Sequence, residues 1–191
     1  HLLNAIQSGQ TKLQNVEKLR LDILSNSSAA ILTEHLAHKL EVKINPQTSD
    51  LMIQQLGGNP TLINSIFVSA KENKLELDSF QNVQQVYVDS VLGKRICNYY
   101  QTIFDEIAPN QEVRNRIIDL LANVETKTPM EIWRKRLNLA EKEFRRVVNL
   151  LNFYEIVRLN SGMIEFSREN ESLGDYVRST YRLEIVGENR A

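Results

Sequence analysis

The sequence predicts a mainly α fold in which a helical bundle and a bridging helix lead into short helices closed by a small β-hairpin. Three observations point to it. Apolar residues recur at helical spacing through most of residues 28–151. N-cap residues, prolines and glycines punctuate that pattern. Apolar–polar alternation marks residues 19–24 and 154–166 as strand-like.

Composition sets the outer limits. With 191 residues, 42% hydrophobic and 25% charged, the chain can bury an ordinary core in one domain or two small ones. No apolar run approaches the roughly 18 residues of a membrane span, and His1-Leu2-Leu3-Asn4 has neither a basic start nor a signal-type apolar stretch. A soluble cytoplasmic protein with no membrane partner is therefore expected. The chain opens on His1 and passes straight into helix-like sequence, which reads as part of something longer. A single cysteine, Cys97, excludes an intramolecular disulfide and has no base nearby in sequence, so it is expected to be a packing residue. The net charge of −1 supplies no global attraction to nucleic acid, which leaves only a local patch to do so.

Residues 1–24 read as a connector. Leu2, Leu3, Ile6, Leu13, Val16 and Leu19 are loosely helical around Ser8-Gly9-Gln10, and residues 19–24 then alternate as a short strand. Residues 25–80 predict a bundle. Ser25-Asn26-Ser27-Ser28 is a helix-start cluster, and from Ser28 to about Glu41 the first helix carries Ala30, Ile31, Leu32, Leu36, Ala37 and Leu40 on one stripe, until Asn45-Pro46 breaks it. A second starts near Thr48-Ser49-Asp50 and ends at Gly57-Gly58, which suit a glycine C-cap. A third follows at once, with Asn59 as N-cap, Pro60 at its first position, and Leu62, Ile63, Ile66, Phe67 and Ala70 facing inward.

Residues 75–85 read as a polar linker or short helix. Within the bridging region 81–110, one long helix is expected from Val86 to Ile107, with Gly93 as the place it would bend. After Ala108-Pro109-Asn110 the elements become short. Val113, Ile117, Leu120 and Leu121 mark one helix, Met130, Trp133 and Leu137 a second, and Phe144, Val147, Val148 and Leu151 a third, with Trp133, Phe144 and Leu151 sharing a core. Residues 154–159 and 163–166 then alternate as a hairpin around Asn160-Ser161-Gly162. Three helices plus a hairpin is the winged-helix order, so residues 111–191 are expected to be a winged-helix domain with a C-terminal extension.

Catalytic chemistry is hard to find. There is no Gly-x-x-x-x-Gly-Lys-Ser/Thr loop to cradle phosphates, no Ser/His/Asp or Cys/His set, and no distinctive pair of carboxylates. His35 and His38 have a metal-compatible helical spacing beside Glu34 and Glu41, but no third and fourth ligand is fixed, so they read as solvated surface. No catalytic or metal-binding residue is assigned, and the chain is not expected to be an enzyme on its own. The basic stretch from Thr126 to Arg158 has eight cations against four carboxylates, a local excess of about +4. In a winged helix that reads DNA, Lys142, Arg145, Arg146 and Asn149 would face outward on the third helix, joined by Arg134, while Glu141 and Glu143 would repel phosphate.

Two passages resemble a known family. Leu56-Gly57-Gly58-Asn59-Pro60-Thr61-Leu62-Ile63 is similar to the Gly-Gly-Asn-Pro signature in the lid of archaeal-type ATPases of the STAND class, relatives of the AAA+ proteins. Leu21-Asp22-Ile23-Leu24 and the helix after it resemble the strand-to-lid passage there. Residues 156–166 and Leu173-Gly174-Asp175-Tyr176-Val177-Arg178 are similar to the family's winged-helix end. The resemblance runs from Leu21 onward. It implies that residues 25–80 are a lid whose Gly58, Asn59 and Pro60 contact ATP or ADP held by an upstream nucleotide-binding domain, with no cofactor bound by this chain alone. A helix cap followed by proline also needs no ligand.

The departures are as informative. The phosphate loop is missing, and the histidine that relatives place near the β-phosphate has no counterpart, since the histidines are His1, His35 and His38. The expected function is the C-terminal regulatory part of a nucleotide-switch ATPase. The alternative is the DNA-binding winged-helix module of a transcriptional regulator, with the helical region in front binding a protein partner.

Overall fold

The computed structural model describes residues 23–123, 127–167 and 171–188. The expected connector and most of the residue 19–24 strand lie outside these. Ile23 and Leu24 precede the first helix without forming a strand.

Helix α1 (Asn26–Leu40) starts within the expected Ser25–Ser28 cluster, where Ser25 is its N-cap and accepts a hydrogen bond from the Ser28 amide. Asn45-Pro46, expected as a break, opens α2 (Pro46–Gln55). Asn45 and Thr48 form a reciprocal capping box, and Pro46 fills the first turn, where its missing N–H costs nothing. Thr48, expected near the helix start, is a buried residue of the first turn. The Thr33 and Ser49 hydroxyls meet at 2.9 Å in the contact between α1 and α2. Helix α3 (Pro60–Asn73) follows directly.

The single bridging helix is not formed. Its sequence folds as α4 (Phe80–Gly93) and α5 (Arg95–Ile107), which pack against each other, and residues 80–85 belong to α4 because Ser79 caps it. Gly93, the poorest helix former in the stretch, stands at the break, and Lys94 leaves helical geometry with φ −120° and ψ −134°. Doubling back lets Val83, Val86, Tyr87 and Val91 share a core with Ile96, Tyr100 and Phe104. Between α3 and α4, Leu77 donates to the Lys43 carbonyl at 2.7 Å, which ties this connection to the one between α1 and α2.

The remaining order is α6 (Gln111–Asn123), β1 (Lys127–Pro129), α7 (Met130–Leu137), α8 (Glu141–Phe153), β2 (Val157–Asn160), β3 (Met163–Phe166) and α9 (Glu171–Glu188). Strand β1 was not expected; with it the hairpin becomes a three-stranded antiparallel sheet in the order β1-β3-β2, pairing Thr128 and Leu159 with Ile164. Tyr154, expected in a strand, is the C-cap of α8. The hairpin turns at Ser161-Gly162, with φ of 48° and 78°, the left-handed pair that suits a two-residue turn.

Trp133, Phe144 and Leu151 are buried in one core, which continues into the first half of the chain. Helix α9 packs on α4, α5 and α6 and so bridges the two halves. Tyr87 donates to Asp175 at 2.7 Å, and Tyr100 and Ser172 join hydroxyls at 2.8 Å. The Tyr176 ring lies 5.3 Å from Tyr100 and 5.6 Å from Phe104. Among the described residues, no helix is long and apolar enough to cross a membrane.

Candidate functional site

The turn between α2 and α3 carries the Gly-Gly-Asn-Pro sequence, and its hydrogen bonding can be followed group by group. The amides of Gly57 and Gly58 close α2 by donating to the carbonyls of Gln54 and Ile53, the pattern of a Schellman motif. Gly58, at φ +68°, has a second constraint. The Leu24 amide donates to its carbonyl at 3.1 Å, and a Cβ on Gly58 would stand 2.5 Å from the Leu24 carbonyl oxygen. Only glycine fits where the incoming chain crosses so closely.

Asn59 does three things. Its side-chain oxygen accepts from the amides of Thr61 and Leu62 at 3.0 and 3.2 Å, its backbone carbonyl accepts from Ile63, and its side-chain amide donates to the Tyr99 hydroxyl on α5 at 3.2 Å. Pro60 has no N–H to offer. The first-turn amides of α3 are therefore all used, and the turn has no spare backbone donor for a phosphate. What it presents outward is the exposed Pro60 ring beside the half-buried Asn59 side chain.

Tyr99 relays this turn inward. Its ring meets Tyr100 edge-on at 5.1 Å, and Tyr100 is the residue bonded to Ser172 and packed against Tyr176 on α9. Burial pushes the Tyr176 phenol up to about 12 and, with the Asp175 hydrogen bond, pushes Tyr87 higher still. Tyr99, Tyr100, Ser172 and Asp175 escaped the sequence reading as a set, because pairs so far apart in the chain leave no local pattern.

The basic candidates are split by the structure. Lys142, Arg145 and Asn149 are exposed on α8, and Arg134 is exposed on α7. Arg146, expected on the same outward face, is half-buried and donates to the Ile107 carbonyl at 3.0 Å, because it leans toward the Leu150 side, where α5 packs. Nearby, Tyr154 donates to Glu106 at 2.6 Å, so the back of α8 is fastened to the end of α5. Arg134 and Arg145 both pair with Glu141, at 3.3 and 2.6 Å. The Arg145 hydrogen bond, aided by the Arg134 charge, holds the Glu141 carboxyl below the ordinary carboxylate range.

Burial raises the Cys97 thiol above its ordinary range, as for an unreactive packing residue. His35 and His38 are exposed, and among the described residues no group of three or more histidines, cysteines or carboxylates could hold a metal ion. A cleft of about 450 Å³ lies between α6, the end of β3 and the start of α9, lined in part by Asp175 and Arg178. None of the candidate residues from the sequence lines it. No protein-family model matches the chain, and no curated protein or solved structure matches it either.

Proposed function

We propose that the chain is the lid and winged-helix portion of a nucleotide-switch ATPase, working with an upstream nucleotide-binding domain. The observation that carries this is the hydrogen bond from Asn59 to Tyr99. Through it, a change at the Gly58-Asn59-Pro60 turn reaches α5, the helix whose buried face holds α9. Differential contact of that turn with ATP and ADP is what would make a switch. Because its backbone donors are spent, the turn would meet the base or sugar, and the phosphate apparatus would have to come from the other domain.

In the polypeptide that joins this chain to such a domain, Pro60→Ala should weaken nucleotide affinity by on the order of tenfold, with the melting temperature little changed. Unaltered affinity for both ATP and ADP would refute the proposed contact.

A second reading has its own support. The order helix, strand, helix, helix, hairpin suits a winged helix whose α8 would be the groove-reading helix, and Lys142, Arg145 and Asn149 on that helix stand open to solvent. Binding of duplex DNA that weakens steeply with salt would favour it.

A further inference from the structure

We propose that Arg134 and Arg145 form a two-arginine site for a DNA phosphodiester, and that Glu141 occupies this site in the free protein as a built-in competitor. The proposal rests on the DNA reading above.

Three features carry it. First, the two arginines come from different helices. Asn138, in left-handed geometry at φ 50°, ends α7 and turns the chain so that Arg134 faces the first turn of α8. Second, they divide one anion between them: Arg145 Nε meets one Glu141 oxygen at 2.6 Å, and Arg134 Nη1 meets the other at 3.3 Å. A phosphodiester likewise presents two adjacent anionic oxygens, and guanidinium groups suit such pairs. Third, the clamp is easily opened. The Arg134 and Arg145 side chains are 60% and 73% exposed, and exposed pairs of this kind contribute little to stability. A phosphate arriving with counterion release could displace the carboxylate at small cost.

The position of Glu141 sets it apart from Glu143. Both are exposed carboxylates in the first turn of α8, but Glu143 pairs with neither arginine. The pair therefore separates a specific competitor from general repulsion.

The test titrates a labelled DNA duplex into the full chain, comparing wild type, Glu141→Gln, Glu143→Gln and the double variant Glu141→Gln/Arg134→Ala, at low and physiological salt. All are surface changes, and melting curves confirm the fold. Glu141→Gln should bind on the order of tenfold tighter than wild type, with a salt slope steeper by roughly 1 for the one phosphate the freed arginines neutralise, and Arg134→Ala should cancel about half of the gain in affinity. Glu143→Gln should tighten binding by no more than about threefold. Equal gains from Glu141→Gln and Glu143→Gln would overturn the competitor while leaving the DNA reading standing. Weaker binding by Glu141→Gln would overturn it too. Failure of every form to bind duplex at low salt would sink the DNA reading and the proposal together.

Discussion

The Tyr87 hydroxyl on α4 donates to the Asp175 carboxylate on α9 at 2.7 Å, joining the helical bundle to the last described helix. Tyr87 is 4% exposed, and Asp175 also holds Arg178 at 2.6 Å. The contact is charge-assisted and mostly shielded from water. It works with the buried Tyr100–Ser172 pair to fasten α9 across both halves.

Tyr87→Phe keeps the ring and removes only the hydroxyl. Loss of a hydrogen bond to a charged group should cost about 1–2 kcal/mol in urea denaturation, with amide exchange rising first in α9. A loss below about 0.3 kcal/mol with unchanged α9 exchange would show that the bond does not hold the helix.

Alkaline pH should weaken the protein. Tyr87, Tyr154 and Tyr176 are all raised above 10, chiefly by burial, and Tyr176 reaches about 12. A phenol with its folded value raised favours the folded state fully below pH 10. That advantage is lost as pH climbs through the folded values, because the unfolded chain sheds its proton first. Stability should therefore fall from pH 10 to about 12 and beyond, and spectroscopic titration of the six tyrosines should show a late group that ionises only on unfolding. Early ionisation of all six in the folded protein would contradict the burial of Tyr87 and Tyr176.

Trp133 is fully buried, and its indole N–H has no hydrogen-bond partner. Trp133→Ala should cost about 3–5 kcal/mol. Trp133→Phe should cost only about 1–2 kcal/mol, because it removes an unsatisfied donor along with the lost volume. Circular dichroism during chemical denaturation measures both; similar losses would mean that the N–H is satisfied.

The two glycines of the α2–α3 turn should respond unequally to alanine. Gly57 has left-handed geometry and open space around it, so Gly57→Ala carries only the conformational cost of about 1–2 kcal/mol. Gly58→Ala adds a collision with the Leu24 backbone and should cost more than Gly57→Ala in the same thermal-melt comparison. Equal losses would argue that Leu24 does not cross Gly58 so closely.

Much of the fold was legible because its signals are local. Asn59, Pro60 and Gly57-Gly58 mark their helix ends through capping chemistry that spans only a few residues. The split between α4 and α5 was not legible. Val88 and Leu92 continue the apolar period yet are 37% and 59% exposed, so the pattern promised a longer buried stripe than the fold uses. Strand β1 is three residues long, too short to show alternation, and its Pro129 is also the N-cap of α7, so the helix-start signal masked the strand. The site was half legible. Sequence could single out Asn59, Arg145 and Glu141, but not the Tyr99 partner of Asn59 nor that Glu141 pairs with both Arg134 and Arg145. Arg146 was misplaced because one step around α8 carries it from solvent to the α5 carbonyl.

The most direct test of the nucleotide-switch proposal is hydrogen exchange in a polypeptide that joins this chain to the proposed nucleotide-binding domain, compared with nucleotide bound and removed. Slower exchange at residues 57–62 on binding, extending along α5 into α9 and uncoupled from α9 by Tyr99→Phe, is the expected result. Nucleotide binding that leaves exchange unchanged at both the turn and α9 would contradict it.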